Sequence, residues 1–445
     1  MAQESEKTPF LKPRLGFGVV ALMLLLAGLV MAYSASAITS ISAGAANYSY
    51  LISQGEFAVA GLVLAVIVYR FIPFEFWKGQ GAWLAWGVCV VLIVLTAAMG
   101  VSHGGATRWI VLGGRELQPS EFAKIGLAIM TCKLINDYDT GLISGKDLFI
   151  RMIILIGLPV GAIYVTQSDL GTAIICVVCL AAALYFTDKP IVILVTMVAL
   201  GVLFVVLNAS GDGYRSERMV YLDPWNDGKN GFGAGYQTIH SLFALADGGL
   251  FGVGLGNSRE KFLYLPANNT DYVFAVVCEE LGVFGALLII ALFAALFYFG
   301  LKIVQTCSTS FTRALSAGLT TMLVFQAFLN IGCAISLFPM TGKPLPFFSV
   351  GGSSMLGTMI ILGFVMACSR QAELESPEAE YARRRENLRV TTHVDGGLDN
   401  YSAASDRGSR SNDYQRRGGA ERSSRSSRKS YSGSSRSSSS RRGRR

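Results

Sequence analysis

Three observations predict an all-α polytopic membrane protein of about ten transmembrane helices, with a large outer loop between helices 7 and 8 and a disordered basic C-terminal tail. Apolar residues make up 52% of the 445-residue chain and charged residues only 15%. The apolar residues come in runs of roughly 18 to 25, the length that crosses a bilayer. Charge is confined: residues 371–445 carry 17 Lys and Arg against 10 Asp and Glu, whereas the other 370 residues carry 21 against 20. The net charge of +8 is thus a property of the tail, and no nucleic-acid partner is expected of the body.

Residues 1–14 are polar, with Lys7, Lys12 and Arg14 ahead of the first run at about 16–37. That run ends in Ala35-Ser36-Ala37, which looks like a signal-peptidase site, but its length and the spans that follow favour a first transmembrane helix. Further runs lie near 50–72, 81–100, 119–137, 148–166, 168–187, 189–208, 272–301, 313–339 and 352–369. The run at 119–137 is interrupted by Glu121, Lys124 and Lys133. An even count puts both termini on one side, and Lys and Arg in the short connections place that side inside. The division is an N-terminal segment 1–14, a membrane domain 15–370 and a tail 371–445. The outer loop, about 209–271, contains a Gly-rich, mildly apolar stretch from Gly231 to Gly256 that suits short interfacial helices. Beyond Glu380 the Ser/Arg/Gly-rich chain cannot bury enough surface to offset its ordering entropy.

The eight cysteines are scattered, mostly inside apolar runs. Cys176-Val-Val-Cys179 has redox spacing but reads as small buried hydrophobes. Three dispersed histidines give no zinc pattern.

Ionisable residues inside spans are costly, so each marks a candidate site. In Gln118-Pro-Ser-Glu-Phe-Ala-Lys124, Glu121 and Lys124 share one helical face and can neutralise each other. The plainer reading is an ion pair that lets a polar helix insert. Arg108 beside Trp109 fits either a ligand contact or an interfacial anchor. In Tyr264-Leu-Pro-Ala-Asn-Asn-Thr-Asp271, a helix starting near Thr270 would be capped by Thr270 and hold Asp271 in its first turn. On such a helix Glu279 lies about 80° around and roughly 12 Å along from Asp271, with Glu280 on the opposite face. Asp271 therefore has no carboxylate partner on its own helix. The last loop, Phe338 to Ser354, is dense in Pro and Gly, as expected of non-helical backbone lining a cavity. Lys343 is its only charge, and Gly351-Gly-Ser353-Ser354 offers amides at a helix start that suit an anion.

The ordered series GATRWIVLG, QPSEFAK, QSDLGT, YRSERMVYLDPW, GYQ, GLGNSREKFLYLP, TDYVFAVVCEELG and TGKPLPFFSVGGSS resembles the SEDS family (shape, elongation, division and sporulation) over about residues 15–370. NSREKFLYLP is more similar to the division branch, FtsW, than to the elongation branch, RodA. The resemblance implies a ten-span peptidoglycan glycosyltransferase that polymerises lipid II into β-1,4 glycan strands. It makes Asp271 the essential residue and matches the family's acid, base and arginine to Glu121, Lys124 and Arg108. The role expected of Asp271 is that of general base toward the acceptor hydroxyl, with Glu121 and Lys124 a supporting ion pair and Arg108 a substrate contact. Family members usually read YLPE before the TD, often with a His next to the Thr; here stand Ala267, Asn268 and Asn269, which are taken as dispensable neighbours.

On this reading a divalent cation (Mg²⁺ or Mn²⁺) and some of Arg108, Lys124, Arg215, Arg218, Lys261 and Lys343, with Ser353, hold the pyrophosphate leaving group. Inversion at the donor anomeric carbon follows. The resemblance further implies a monofunctional class B penicillin-binding transpeptidase as partner, other divisome proteins, and a multi-pass place in the bacterial cytoplasmic membrane at the division septum. The tail suits anionic lipid or an acidic cytoplasmic division protein such as FtsZ. The alternatives are a lipid II flippase and a non-catalytic divisome scaffold. A flippase predicts a midplane site between inverted repeats, whereas the candidates here gather at the outer edge.

Overall fold

A computed structural model describes residues 8–103, 106–113, 115–208, 220–376 and 381. Its helices are α1 (Thr8–Ser42), α2 (Ser49–Arg70), α3 (Phe74–Lys78), α4 (Gln80–Met99), α5 (Ser120–Asp139), α6 (Gly145–Met152), α7 (Leu158–Gln167), α8 (Leu170–Tyr185), α9 (Ile191–Asn208), α10 (Tyr236–Gly248), α11 (Val273–Thr306), α12 (Ser310–Ala334) and α13 (Gly352–Leu374). A π-helical turn, Ile153–Gly157, joins α6 to α7. A helix stands at each of the ten expected runs, and seven are long and apolar enough to cross a membrane.

The bundle is centred on α5, α12 and α13. The apolar windows of α12 and α13 are 72% and 78% buried, against 22% for α4. This explains why α5 tolerates Glu121, Lys124 and Lys133: its neighbours are α4, α8, α12 and α13, so its charges meet protein instead of lipid. Small residues let these helices approach closely. A Cβ on Gly126 would lie 2.7 Å from the Ala85 carbonyl oxygen, and one on Gly363 would lie 2.8 Å from that of Ala65. The Ala35-Ser36-Ala37 stretch lies within α1, with Ser36 buried and donating to Ala32 O. All eight cysteines are free and buried.

Two sequence expectations change. Three short segments ahead of α5 form a small antiparallel sheet in strand order β1 (Val101–His103), β2 (Ala106–Leu112), β3 (Arg115–Leu117). The register pairs Val101 with Trp109 and Ile110 with Leu117. Alternation along β2 turns Arg108 and Ile110 inward and Val111 outward, the period-2 signature of a strand.

The second change concerns α11. It begins at Val273, with Tyr272 at the cap position and no side-chain cap, so Asp271 sits in the turn before the helix and Thr270 caps nothing. The helix is also not straight: Gly282 is left-handed (φ 68°) and breaks it into Val273–Leu281 and a longer span. Residues 249–254 dock on this break. Val253 N and Gly254 N donate to Glu279 O and Glu280 O, and Val283 N and Phe284 N donate to Gly249 O and Leu250 O. These bonds satisfy the groups that a broken helix exposes. Within the outer loop α10 is the expected short helix, and it packs on α11.

Between Ala334 and Gly352 the chain is non-helical yet largely buried, with Leu345, Phe347 and Phe348 in the core. It packs on α1, where a Cβ on Gly28 would come within 2.2 Å of Phe347 O. The tail expected to be disordered lies outside the described residues, apart from the end of α13 and Tyr381.

Candidate active site

Three connections converge on Asp271: the β2 strand, the turn between α7 and α8, and the loop before α13. Asp271 is held by its backbone. The carbonyls of Asn269, Thr270 and Asp271 accept in turn from Val350 N (2.8 Å), Ser349 Oγ (2.5 Å) and Asn330 Nδ2 (2.8 Å). Asn330 also donates to Lys343 O at 2.8 Å, so one amide on α12 pins both chemistry-bearing segments. The three residues where the sequence departs from the family pattern serve this turn. Ala267 is left-handed (φ 55°), and its carbonyl accepts from Thr270 N and Tyr272 N. Asn268 is buried and donates to Lys261 O.

The Asp271 side chain is treated differently. Among the described residues its carboxylate has no ion pair and no hydrogen-bond donor, and it is half-buried. Gly342 separates it from Arg108: a Cβ there would lie 2.8 Å from Arg108 Nη1 and 3.9 Å from Asp271 Oδ2. Arg108 is in turn fixed by its other nitrogens. Nε donates to Gln167 O at 3.2 Å and Nη2 to Ser168 O at 2.7 Å. Those carbonyls are presented because Ser168 is left-handed (φ 50°) and ends α7. Burial pushes the Asp271 carboxyl above its ordinary range; Lys343 and Arg108 pull against that, and Asp169 adds to it.

Lys343 does not stand free as the sequence suggested. Its Nζ lies 2.7 Å from Asp169 Oδ2 and 2.6 Å from Thr172 Oγ1. Asp169 caps α8, accepting from Thr172 N at 3.0 Å, and also accepts from Ser120 Oγ at 3.4 Å. Asp169 is the site residue missed in the sequence. Its signal was present, as an acid in QSDLGT between two apolar runs, but nothing local named its partner 174 residues away.

Glu121 and Lys124 form the expected pair at 2.7 Å, fully buried, and Lys124 also donates to Gln326 Oε1. Gln326 continues to Pro344 O at 2.9 Å, which ties the pair to the loop carrying Lys343. Ser353 Oγ accepts from Gln118 N at 2.9 Å, joining the start of α13 to the segment leading into α5.

Lys261 is placed elsewhere. It is buried in an ion pair with Glu280 at 2.8 Å, and Ser34 Oγ lies 2.7 Å from the same carboxylate. Glu279 points the other way, as helical phase requires, accepting from Ser258 Oγ (2.5 Å) and Arg259 N (2.6 Å). Arg215 and Arg218 lie outside the described residues.

Among the described residues no three His, Cys, Asp or Glu side chains cluster as a metal cage. Among the described residues Asp271 is a single carboxylate facing the cations Arg108 and Lys343. What the arrangement provides is an uncommitted carboxylate beside a fixed guanidinium, a combination suited to taking a proton while an anionic group leaves.

Residues 15–374 match the FTSW_RODA_SPOVE family, described as cell cycle protein. Stage V sporulation protein E of Bacillus subtilis is 32% identical over 80% of this chain and 97% of its own length. The Probable peptidoglycan glycosyltransferase FtsW of Synechocystis is 32% identical over 79% and 87%. Among solved structures, a chain from "Structural coordination of polymerization and crosslinking by a peptidoglycan synthase complex" is 26% identical, with a TM-score of 0.62 over 80% of this chain and 97% of that one. The rod shape determining protein RodA of Thermus thermophilus is 25% identical, with a TM-score of 0.57 over 80% and 96%.

Proposed function

The chain belongs to the FTSW_RODA_SPOVE family of cell cycle proteins, and on that premise we propose that it is a peptidoglycan glycosyltransferase with Asp271 as general base. One observation carries the assignment of Asp271. The other acids buried in the body are engaged, Glu121 by Lys124, Asp169 by Lys343 and Glu280 by Lys261 as ion pairs and Glu279 by hydrogen bonds from Ser258 Oγ and Arg259 N, whereas among the described residues the Asp271 carboxylate is left unengaged beside Arg108. Burying an acid without a partner is costly, and use in chemistry accounts for keeping it.

Asp271 takes the proton from the C4 hydroxyl of an acceptor GlcNAc. The oxygen attacks C1 of the donor MurNAc from the face opposite the pyrophosphate. The C4–O–C1 bond forms, the C1–O bond to pyrophosphate breaks, and inversion gives a β-1,4 linkage. Pyrophosphate leaves as an anion and needs no acid, so one base and a nearby cation suffice. Arg108 is the cation best placed to hold it. Lys343, offset by Asp169, contributes mainly by setting the field at Asp271. Glu121 and Lys124 buttress the Lys343 loop through Gln326.

A divalent cation belongs to this proposal as a companion of the lipid-linked pyrophosphate, not of a protein cage. Inhibition by EDTA that Mg²⁺ or Mn²⁺ reverses tests it.

The chain is a membrane protein with several apolar spans. We place both termini in the cytoplasm, from the Lys and Arg of the short loops, and the enzyme at the septum, as its FtsW-named relatives suggest. Because the first structural relative comes from a peptidoglycan synthase complex, a penicillin-binding transpeptidase is the expected partner. The tail binds anionic lipid or a cytoplasmic division protein, so deleting residues 381–445 spares catalysis in vitro.

The test is a glycan-polymerisation gel with lipid II, a divalent cation and the cognate transpeptidase, comparing wild type with Asp271→Asn. A ladder from wild type alone supports the assignment. Equal ladders reduce Asp271 to a turn residue, and ladders from neither direct attention to lipid II flipping in liposomes.

A further inference from the structure

The segment Gly249-Leu-Phe-Gly-Val-Gly-Leu-Gly256 has no polar side chain in eight residues, and it lies in the outer loop, outside the apolar spans. It is nevertheless exposed: Phe251 is 79% accessible, and Leu250 and Leu255 are 60% and 56%. An apolar patch of this kind on a soluble loop marks an interaction surface.

Its backbone geometry explains how it is held. Gly249, Gly252, Gly254 and Gly256 are all left-handed, and a Cβ on Gly252 would lie 2.2 Å from Glu280 O. The glycines let the segment lie flat on the break in α11, where four backbone hydrogen bonds link residues 249–254 to residues 279–284. Non-helical backbone is tolerated at membrane depth only when its polar groups are satisfied in this way.

Two observations fix what covers it. First, the patch is continuous with the outward face of α11. The Phe251 and Phe284 rings lie 5.3 Å apart, and exposed Leu287 and Leu288 follow along an apolar span. Second, its level is set by α1. Ser34 bonds Glu280, and Arg14, which pairs with Glu373 at the opposite end of the bundle, is twenty residues earlier on the same helix. Twenty residues of helix span about 30 Å, the thickness of a hydrocarbon core. The segment bonded to Glu279 and Glu280 therefore sits where acyl chains meet headgroups.

We infer that residues 249–256 are a bilayer-seated anchor, with Leu250, Phe251 and Leu255 covered by the acyl chains of the leaflet on the Asp271 side. The anchor holds the broken helix that begins two residues after Asp271, and so registers the proposed base against the surface on which a lipid-linked substrate arrives. The anchoring itself rests on the membrane placement and not on the catalytic reading.

The test uses the full chain in lipid nanodiscs with Phe251→Trp, and independently Leu255→Trp in case the first variant folds poorly. The nanodiscs contain phosphatidylcholine brominated either near the top of the acyl chain or near its methyl end, and wild-type emission is subtracted. The expected result is loss of the added emission with bromine near the top, a smaller loss with the deeper bromine, and little quenching by iodide in water. Strong iodide quenching overturns the inference by placing the segment in solvent. Blue-shifted emission insensitive to either bromolipid overturns it too, by showing that protein covers the patch. Activity of Asp271 variants does not enter this readout, so the anchor and the catalytic assignment fail separately.

Discussion

Lys343 donates to Asp169 across 2.7 Å, and both side chains are fully buried. The pair closes a chain of contacts around the site. Asp169 caps α8, Lys343 lies in the loop pinned by Asn330, and the turn before Asp169 holds Arg108 by two carbonyls. Breaking it disturbs both the geometry and the field at Asp271.

The pair is testable by a double-mutant cycle. Lys343→Met leaves the Asp169 carboxylate buried and uncompensated, at a cost of about 3–5 kcal/mol. Adding Asp169→Asn recovers most of that stability, because an amide carries no charge. Thermal unfolding in detergent reads both, and additive losses contradict the coupling.

With Asp271 as the proposed base, its carboxyl is expected to set the acid limb of activity. A general base works as the carboxylate, so turnover is lost as pH falls through its folded value. Burial raises that value against the pull of Lys343 and Arg108. The limb therefore lies above the ordinary Asp range of about 4, and Arg108→Gln moves it further up. The pH profile of initial polymerisation rate, for wild type and Arg108→Gln, checks both directions.

Asp271→Asn retains shape and removes the base. Polymerisation falls by about 10²–10⁴-fold, the contribution expected of a positioned proton acceptor, while unfolding temperature and association with the transpeptidase are unchanged.

Gly342→Ala tests the spacing between Arg108 and Asp271. The residue is left-handed (φ +66°), and a Cβ there meets Arg108 Nη1 at 2.8 Å. Strain of about 1–2 kcal/mol and a displaced guanidinium follow. Turnover drops more than stability does, as seen by comparing gel kinetics with melting.

Asp227 governs a turn ahead of α10. Its carboxylate accepts from the backbone N–H groups of Lys229, Gly231, Gly233 and Gly235. Burial opposes these bonds, but they prevail and hold its pKa down to about 2. The stabilisation is fully present above the unfolded value near 4 and is lost as pH falls through about 2. Hydrogen exchange at residues 229–235 speeds up in Asp227→Asn at neutral pH, and the difference from wild type vanishes in acid.

The positions of the apolar helices were legible in the sequence because hydropathy is a local property, and a bilayer imposes a length that the chain must meet by itself; seven of them have that length among the described residues. Asp271, Glu121 and Lys124 stood out for the same reason: charge in apolar surroundings is visible without knowing its partners. The i, i+3 pairing of Glu121 with Lys124 was readable too, since helical geometry fixes it within one turn. Tertiary structure alone decided which charges were already spent. Lys343 and Lys261 looked like free cations, yet each is neutralised by an acid from another segment, Asp169 and Glu280. The break at Gly282 was equally hidden, because a glycine inside an apolar run is ordinary until residues 249–254 supply the hydrogen bonds that make the break affordable. Local composition sets where a charge is expensive; only the long-range contact sets whether it is paired, and so whether it remains for chemistry.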